Sequence, residues 1–461
     1  MSTPAQIARA HDVPRRGEPG FLDRLLNVFA DVRPGEGVTV LLLMLNLFVI
    51  LAGYYLLKTI REPLILASAG GGAEVKSYSA AAIAGLLMLL VPVYSALASR
   101  VSRVKLLNSV NLFFIACLVA FFLLNRAGVP VGVPFFIWVG IFNLVVIAQL
   151  WAFANDVYTL DEGKRLFAIV GFGASLGAIA GAFFTGQLVK EIGPYPFMLG
   201  AALLLAVSML LTNLVNAREK RGQGGEVTAG DRAEAEGAPA AVKGKGGFAL
   251  VFSDRYLLLI AGLMLLSNLV NTTGEYILSK TVVGAYAASH AAGALGGLDE
   301  KKVIGEFYGN FFTVVNIVSA LVQAFLVSRI IKFFGVRTAL LVLPLVGLVG
   351  YGAMAFVPIL AFIRTAKIAE NSIDYSLQNT TRNTLYLPTS REAKYKAKQA
   401  NDTFFVRFGD VISAGLVFAG TAWLGFAPKQ FAMVNLALIL VWIVVAFALG
   451  RSFHRKEHAA A

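Results

Sequence analysis

The stretch Tyr54-Tyr55-Leu56-Leu57-Lys58-Thr59-Ile60-Arg61-Glu62-Pro63 closes an apolar run that starts near Val38. A basic residue at the middle of a bilayer costs about 2.5–3.5 kcal/mol on insertion scales, so it faces a partner or a wet cavity. On a helix Tyr54, Lys58 and Arg61 share one face. The pattern returns as Tyr276-Ile277-Leu278-Ser279-Lys280-Thr281, which suggests a chain built twice around a basic site.

Composition points the same way. Of 461 residues 57% are hydrophobic and only 15% charged, with a mean hydropathy of +0.71, far more apolar than a soluble domain. Apolar runs of spanning length fall near 38–60, 76–98, 106–125, 134–156, 165–188, 195–216, 254–280, 306–331, 338–357, 358–384, 398–424 and 430–450. The runs at 358 and 398 are the most polar. The reading is an all-α polytopic membrane protein of about twelve transmembrane helices.

The net charge of +13 does not indicate nucleic acid. With both ends on one side, most Lys and Arg fall in the tails and loops of that side, as the positive-inside rule requires. Cys117 stands alone and the four histidines lie in tails or loops, so neither a disulfide nor a metal site is expected. The polar first 20 residues contain no signal-peptide core. Near them Phe21, Leu22, Leu25, Leu26 and Phe29 oppose Asp23, Arg24 and Asn27, as in a helix on the membrane surface or one packed against the bundle.

A second echo links Ala96-Leu97-Ala98-Ser99-Arg100-Val101 to Phe325-Leu326-Val327-Ser328-Arg329-Ile330, in the same order and at nearly the same separation as the first. Between the halves, residues 217–253 begin with a Gly-, Ala- and charge-rich stretch without apolar periodicity, a linker. The expected organisation is a tail (1–37), a six-helix bundle (38–216), the linker, a second bundle (254–450) and a short tail (451–461). Two pseudo-symmetric six-helix halves joined in this way resemble the major facilitators, whose halves are parallel repeats. Gly173-Ala174-Ser175-Leu176-Gly177-Ala178-Ile179-Ala180-Gly181 in the fifth span is a small-residue seam for close helix approach. No phosphate loop of the ATPase type occurs, so transport would be secondary.

Charges inside the spans mark the candidate site. Asn268, Asn271, Thr272, Glu275 and Ser279 share a face of the seventh span, with Lys280 beside them. Arg364, Lys367, Asn371, Asp374, Gln378 and Arg382 form a stripe along the tenth, with Glu370 on its edge, and Arg407 and Asp410 can pair in the eleventh. Left facing lipid, Lys58, Lys280, Arg364, Lys367 and Arg407 would together cost roughly 12–17 kcal/mol, as much as the whole stability of a domain. Most must therefore be paired or face a cavity. Glu275 and Asp374 are also candidates for a proton site.

Three further motifs narrow the resemblance. Tyr54 to Leu64, then Trp151-Ala152-Phe153-Ala154-Asn155-Asp156 followed by Glu162-Gly163-Lys164-Arg165, then Tyr386-Leu387-Pro388 leading to Glu392-Ala393-Lys394-Tyr395-Lys396-Ala397-Lys398 and Asp402, resemble the nucleotide transporters, the ATP/ADP translocases of plastids and intracellular bacteria. The resemblance implies nucleotide exchange, with substrate contacts at Arg61, with Lys58 one turn before it, and at Lys394, Lys396 and Lys398. It departs at two positions: the family's fourth-span acid falls near Val139, and its seventh-span acid near Asn271, with Glu275 one turn later.

The sequence is thus read as a monomeric secondary transporter of an organic anion, a nucleotide such as ATP or ADP or another phosphorylated metabolite. Its expected binding residues are Lys58, Arg61, Glu275, Lys280, Arg364, Lys367, Asp374, Lys396 and Lys398. No cofactor and no nucleic-acid partner are expected, and the expected location is a bacterial inner membrane with both termini cytoplasmic. A proton-coupled facilitator for another solute and a non-transporting membrane scaffold stay open as alternatives.

Overall fold

The computed structural model describes residues 20–27, 31–98, 102–158, 160–222, 246–390 and 392–460. The first half comprises α1 (Gly37–Leu66), α2 (Ala73–Ala98), α3 (Arg103–Arg126), α4 (Gly132–Val157), α5 (Leu160–Ile192) and α6 (Pro196–Gly222). The second comprises α7 (Arg255–Ala291), α8 (Glu300–Phe325), α9 (Val327–Phe356), α10 (360–384), α11 (Lys398–Trp423) and α12 (Pro428–Ala460). Among the described residues eleven helices are long and apolar enough to cross a membrane, and α10 is the polar exception. It runs as Leu360–Ile373, a π turn at Asp374–Gln378 and a last stretch Asn379–Thr384.

Packing follows the composition of each helix. The seam in α5 lies on α1: a Cβ on Gly173, Gly177 or Gly181 would come within 2.3, 2.2 and 2.3 Å of the carbonyl oxygens of Met44, Phe48 and Ala52. Backbones this close admit only glycine, and the spacing of four on both helices keeps the approach in register. Helix α1 is in turn surrounded by α4, α5 and α6, which places Lys58 inside the bundle. Asp254 starts α7 by accepting the backbone N–H of Tyr256 at 2.8 Å, and Asp299 caps α8 through Lys301 N at 2.9 Å.

Two expectations need correction. In the short helix Phe21–Leu26 the packed alternative holds for Leu26, buried with Val40 and Leu166, but Asp23 turns inward beside it, 6% exposed, while Phe21 is 80% exposed. The Asp23 carboxylate accepts the backbone N–H groups of Gly20, Gly35 and Gly37 at 2.9, 3.1 and 2.9 Å, pinning the helix to the start of α1. Burial opposes its charge, but these donors outweigh burial and hold the carboxyl below the usual range. The linker, expected over 217–253, is shorter: α6 stays helical to Gly222, and Gly247–Ser253 forms a helix whose Phe248 meets Phe404 edge-on. Residues 223–245, and residues 99–101 of the second echo, lie outside the described residues.

The two ends of the molecule differ. Call the end bearing residues 222 and 246 the linker end, and the one bearing the loops at 67–72 and 292–299 the far end. Contacts between the halves gather from the middle to the far end: Gly186 of α5 against Gly309 of α8, the Lys190–Glu306 pair at 2.7 Å, Lys302 donating to Glu191 O at 3.2 Å, and Tyr78 against Phe418. At the linker end Arg165–Glu36 and Tyr256–Leu385 each stay within a half.

Candidate functional site

Lys58 is 7% exposed and points across the interface between the halves. Its Nζ donates to the Tyr375 hydroxyl of α10 at 3.1 Å and stands over the rings of Phe312, Tyr55 and Tyr375 at 4.5, 4.8 and 5.1 Å. Among the described residues no carboxylate lies within ion-pair distance of it. Ring faces attract an ammonium but do not neutralise it. Arg61, expected on the same face, turns the other way, stacking on Phe136 of α4 at 4.6 Å and bonding Glu62 at 3.1 Å.

From Arg61 a chain of alternating charge crosses the molecule. Glu62, 1% exposed, pairs with Lys76 of α2 at 2.7 Å, and Lys76 lies 3.8 Å from Glu275 of α7. Glu275 lies 3.6 Å from Lys367 of α10 and accepts Asn371 Nδ2 at 3.1 Å. Lys367, fully buried, pairs with Glu370 at 2.9 Å, and Glu370 accepts the Tyr351 hydroxyl at 2.9 Å. Lys76 also donates to Ser279 Oγ at 2.8 Å, which shares a hydrogen bond with Tyr308. The cations Lys58, Arg61, Lys76 and Lys367 thus face the carboxylates Glu62, Glu275 and Glu370, leaving one positive charge unmatched at the centre. Burying such groups is tolerable only because each paired member is also hydrogen-bonded.

The structure brings Lys58, Arg61, Glu275 and Lys367 together, sets Asp374 in a cavity that Glu370 also lines, and leaves Lys280, Arg364, Lys396 and Lys398 apart. Lys280 is at the far end, its side chain 47% exposed, paired with Glu74 of α2 at 2.6 Å; Tyr276 also donates to Glu74, at 3.0 Å. The repeated motif is therefore not two equivalent basic sites: its second copy ties the halves together. Arg364 lies over Phe307 at 5.5 Å, away from the chain. Asp374 lies 3.9 Å from Arg382, and both line a cavity of about 20 Å³ with Asn268, Asn271 and Glu370. The stripe from Arg364 to Arg382 is broken there because the π turn adds a residue and shifts the face. Lys396 is 3.4 Å from Glu392, and Lys398 pairs with Asp402 at 2.8 Å, beside a cavity of about 280 Å³ that Arg382, Asn379 and Asn383 also line. Arg407 and Asp410 pair at 3.2 Å, as their spacing suggested.

At the two departures from the resemblance, Val139 is buried in the apolar core, and Asn271 accepts from Lys367 at 2.7 Å while Glu275 supplies the charge. Sequence reading missed Lys76, because a charge in the first turn of a span reads as topology. It also missed Phe312 and Tyr375, which reach Lys58 only through the fold.

The profile of a family described as TLC ATP/ADP transporter matches residues 22–125 and 134–453. ADP,ATP carrier protein 1 of Chlamydia pneumoniae is 24% identical over 489 residues, covering 90% of this chain and 91% of that protein. The plastidic ATP/ADP-transporter of Solanum tuberosum is 27% identical over 218 residues, 40% of this chain and 33% of its own. Among solved structures, the nucleoside transporter NupG superposes with a TM-score of 0.60 at 13% identity, over 90% of this chain and 99% of that one. A bacterial homologue of the iron transporter ferroportin in an inward-facing state gives 0.59 at 14%, over 90% and 98%. These likenesses carry the fold, two six-helix halves of the major facilitator type.

Proposed function

The chain belongs to the TLC ATP/ADP transporter family, and on that premise we propose that it exchanges nucleotides, ATP against ADP, by alternating access of its two halves. The observation that carries this reading is Lys58, a buried cation at the interface of the halves with hydroxyl and ring partners but no carboxylate among the described residues. A phosphate entering between the halves meets Lys58 first as a free charge. It then competes with Glu62 and Glu275 for Lys76, the ammonium that joins them across the interface. Tyr375, 37% exposed, offers a ring face beside the phosphate position.

The same geometry favours exchange over net release. Parting the far end separates Lys76 from Glu275 and Ser279, and Lys280 from Glu74. Lys76 then keeps Glu62 and Glu275 keeps Lys367, but each loses one partner of a largely buried charge network. A bound polyanion replaces the lost partner of Lys76, so the loaded carrier moves more readily than the empty one. The moving halves are α1–α6 and α7–α12, a single copy is the working unit, and both termini face the cytoplasm from a bacterial inner membrane, as the basic bias supports.

A ligand panel on the purified carrier tests the substrate class. ATP and ADP at about 100 times their Kd stabilise the folded state by about 2.7 kcal/mol, a shift of several degrees in unfolding temperature, while adenosine leaves it unmoved. Equal stabilisation by adenosine and ATP would contradict a site built around phosphate.

A further inference from the structure

Helix α9 turns at its start. Gly335 has φ 75° and ψ 166°, a conformation open to glycine, and it sets the short helix Val327–Phe334 apart from the run that follows. From Val336 to Phe356 the chain rises about 30 Å, the thickness of the hydrocarbon core, so Arg337 sits in the first turn at the membrane interface. In α12 no charged residue falls between Lys429 and Arg451, which puts Arg451 at the same level.

These two arginines, from different helices, share one ring. The guanidinium of Arg337 lies 4.7 Å and that of Arg451 4.4 Å from the centre of Phe447, whose ring is partly exposed. Gly450 makes the approach possible, since a Cβ there would come within 2.8 Å of Arg337 Cγ. Neither guanidinium has a carboxylate within ion-pair distance among the described residues, and residues 325–343 and 430–456 contain no Asp or Glu. The acids described nearby, Asp254 and Glu457, stand beside Lys456 and His454. Lys332 and Arg329 add charge on the short helix, where Phe333 and Phe334 are 70% and 67% exposed. Two like charges held on one ring repel each other and call for an anion.

We propose that Arg337 and Arg451, with the short helix Val327–Phe334 beside them, bind the headgroup phosphate of an anionic phospholipid. Guanidinium groups are suited to phosphate, and basic pockets between helices at the membrane surface hold anionic headgroups. The pattern of the short helix, basic residues with exposed phenylalanines, is that of a segment lying in the interface with its rings among acyl chains. The occupant is a lipid and not a free anion because the shared Phe447 ring stays 36% exposed and Val444, one turn before it, is 68% exposed, an apolar surface beside the charges that acyl chains would cover.

Native mass spectrometry of the full-length carrier, offered phosphatidylglycerol or phosphatidylcholine, tests this. The wild type retains phosphatidylglycerol about tenfold better. The Arg337→Gln, Arg451→Gln double variant loses that preference, and Arg126→Gln, which removes a lone arginine stacked on Phe122 at the far end, keeps it. Excess inorganic phosphate leaves the lipid bound. Equal retention of the two lipids by the wild type, an unchanged preference in the double variant, or displacement by inorganic phosphate would each overturn the proposal.

Discussion

Lys58 and Lys76 are both nearly buried lysines, yet they are placed to do opposite things. Lys76 is held by Glu62, Glu275 and Ser279, whereas Lys58 has the Tyr375 hydroxyl and four rings, with no carboxylate in ion-pair range among the described residues. Removing a paired charge strands its partners, and removing an unpaired one relieves a cost. Lys76→Met is therefore expected to lower apo stability by about 3–5 kcal/mol. Lys58→Met should leave it unchanged or higher while weakening ATP binding at least tenfold, the loss of roughly one charge-assisted contact. Thermal unfolding with and without ATP separates the two, and a Lys58→Met protein as unstable as Lys76→Met would assign Lys58 a structural role. Arg61→Lys should impair binding less than Lys58→Met does, because Arg61 already spends its guanidinium on Glu62 and Phe136. Intramembrane charge made Lys58, Arg61, Glu275 and Lys367 legible in the sequence, since charges there need partners. Which partner each one finds was not legible, because Tyr375 and Phe312 are more than 250 positions from Lys58.

At the scale of the helices, the small-residue seam of α5 could be read from its spacing, but its partner could not. That partner is α1, and the close contact falls on the backbone of Phe48 rather than on a side chain able to move aside. Gly177→Leu is expected to cost more than the usual 1–3 kcal/mol of an overpacked site and to reduce folded yield sharply. Gly200→Leu meets only the Leu56 Cδ1 methyl, at 3.9 Å from its Cβ, and should fold almost normally. Fluorescence-detected size exclusion of the two variants checks this, with equal yields the contrary result. The π turns at Asp374–Gln378, Ala393–Ala397 and Asn401–Phe405 had no signal in the sequence, because a pattern of polar residues at three and four carries no mark of one inserted position. For the same reason the stripe on α10 looked continuous when it is not.

Over the whole molecule, hydropathy located most of the helices, since lipid leaves the backbone no other option, and the two sequence echoes with the linker divided them into halves. The state of the carrier was not accessible that way. Contacts between the halves, from Lys58–Tyr375 in the middle to Lys280–Glu74 and Lys190–Glu306 at the far end, depend on pairing between residues hundreds of positions apart. They hold the halves together from the middle to the far end, with Lys58 buried at their interface. Nucleotide exchange is tested most directly by counter-exchange in liposomes reconstituted with the purified protein, measured as uptake of labelled ADP. Vesicles preloaded with ATP should take up ADP rapidly, vesicles without internal nucleotide should take up almost none, and Lys58→Met should abolish the difference. Equal uptake into loaded and empty vesicles, or wild-type protein that moves no nucleotide at all, would contradict it.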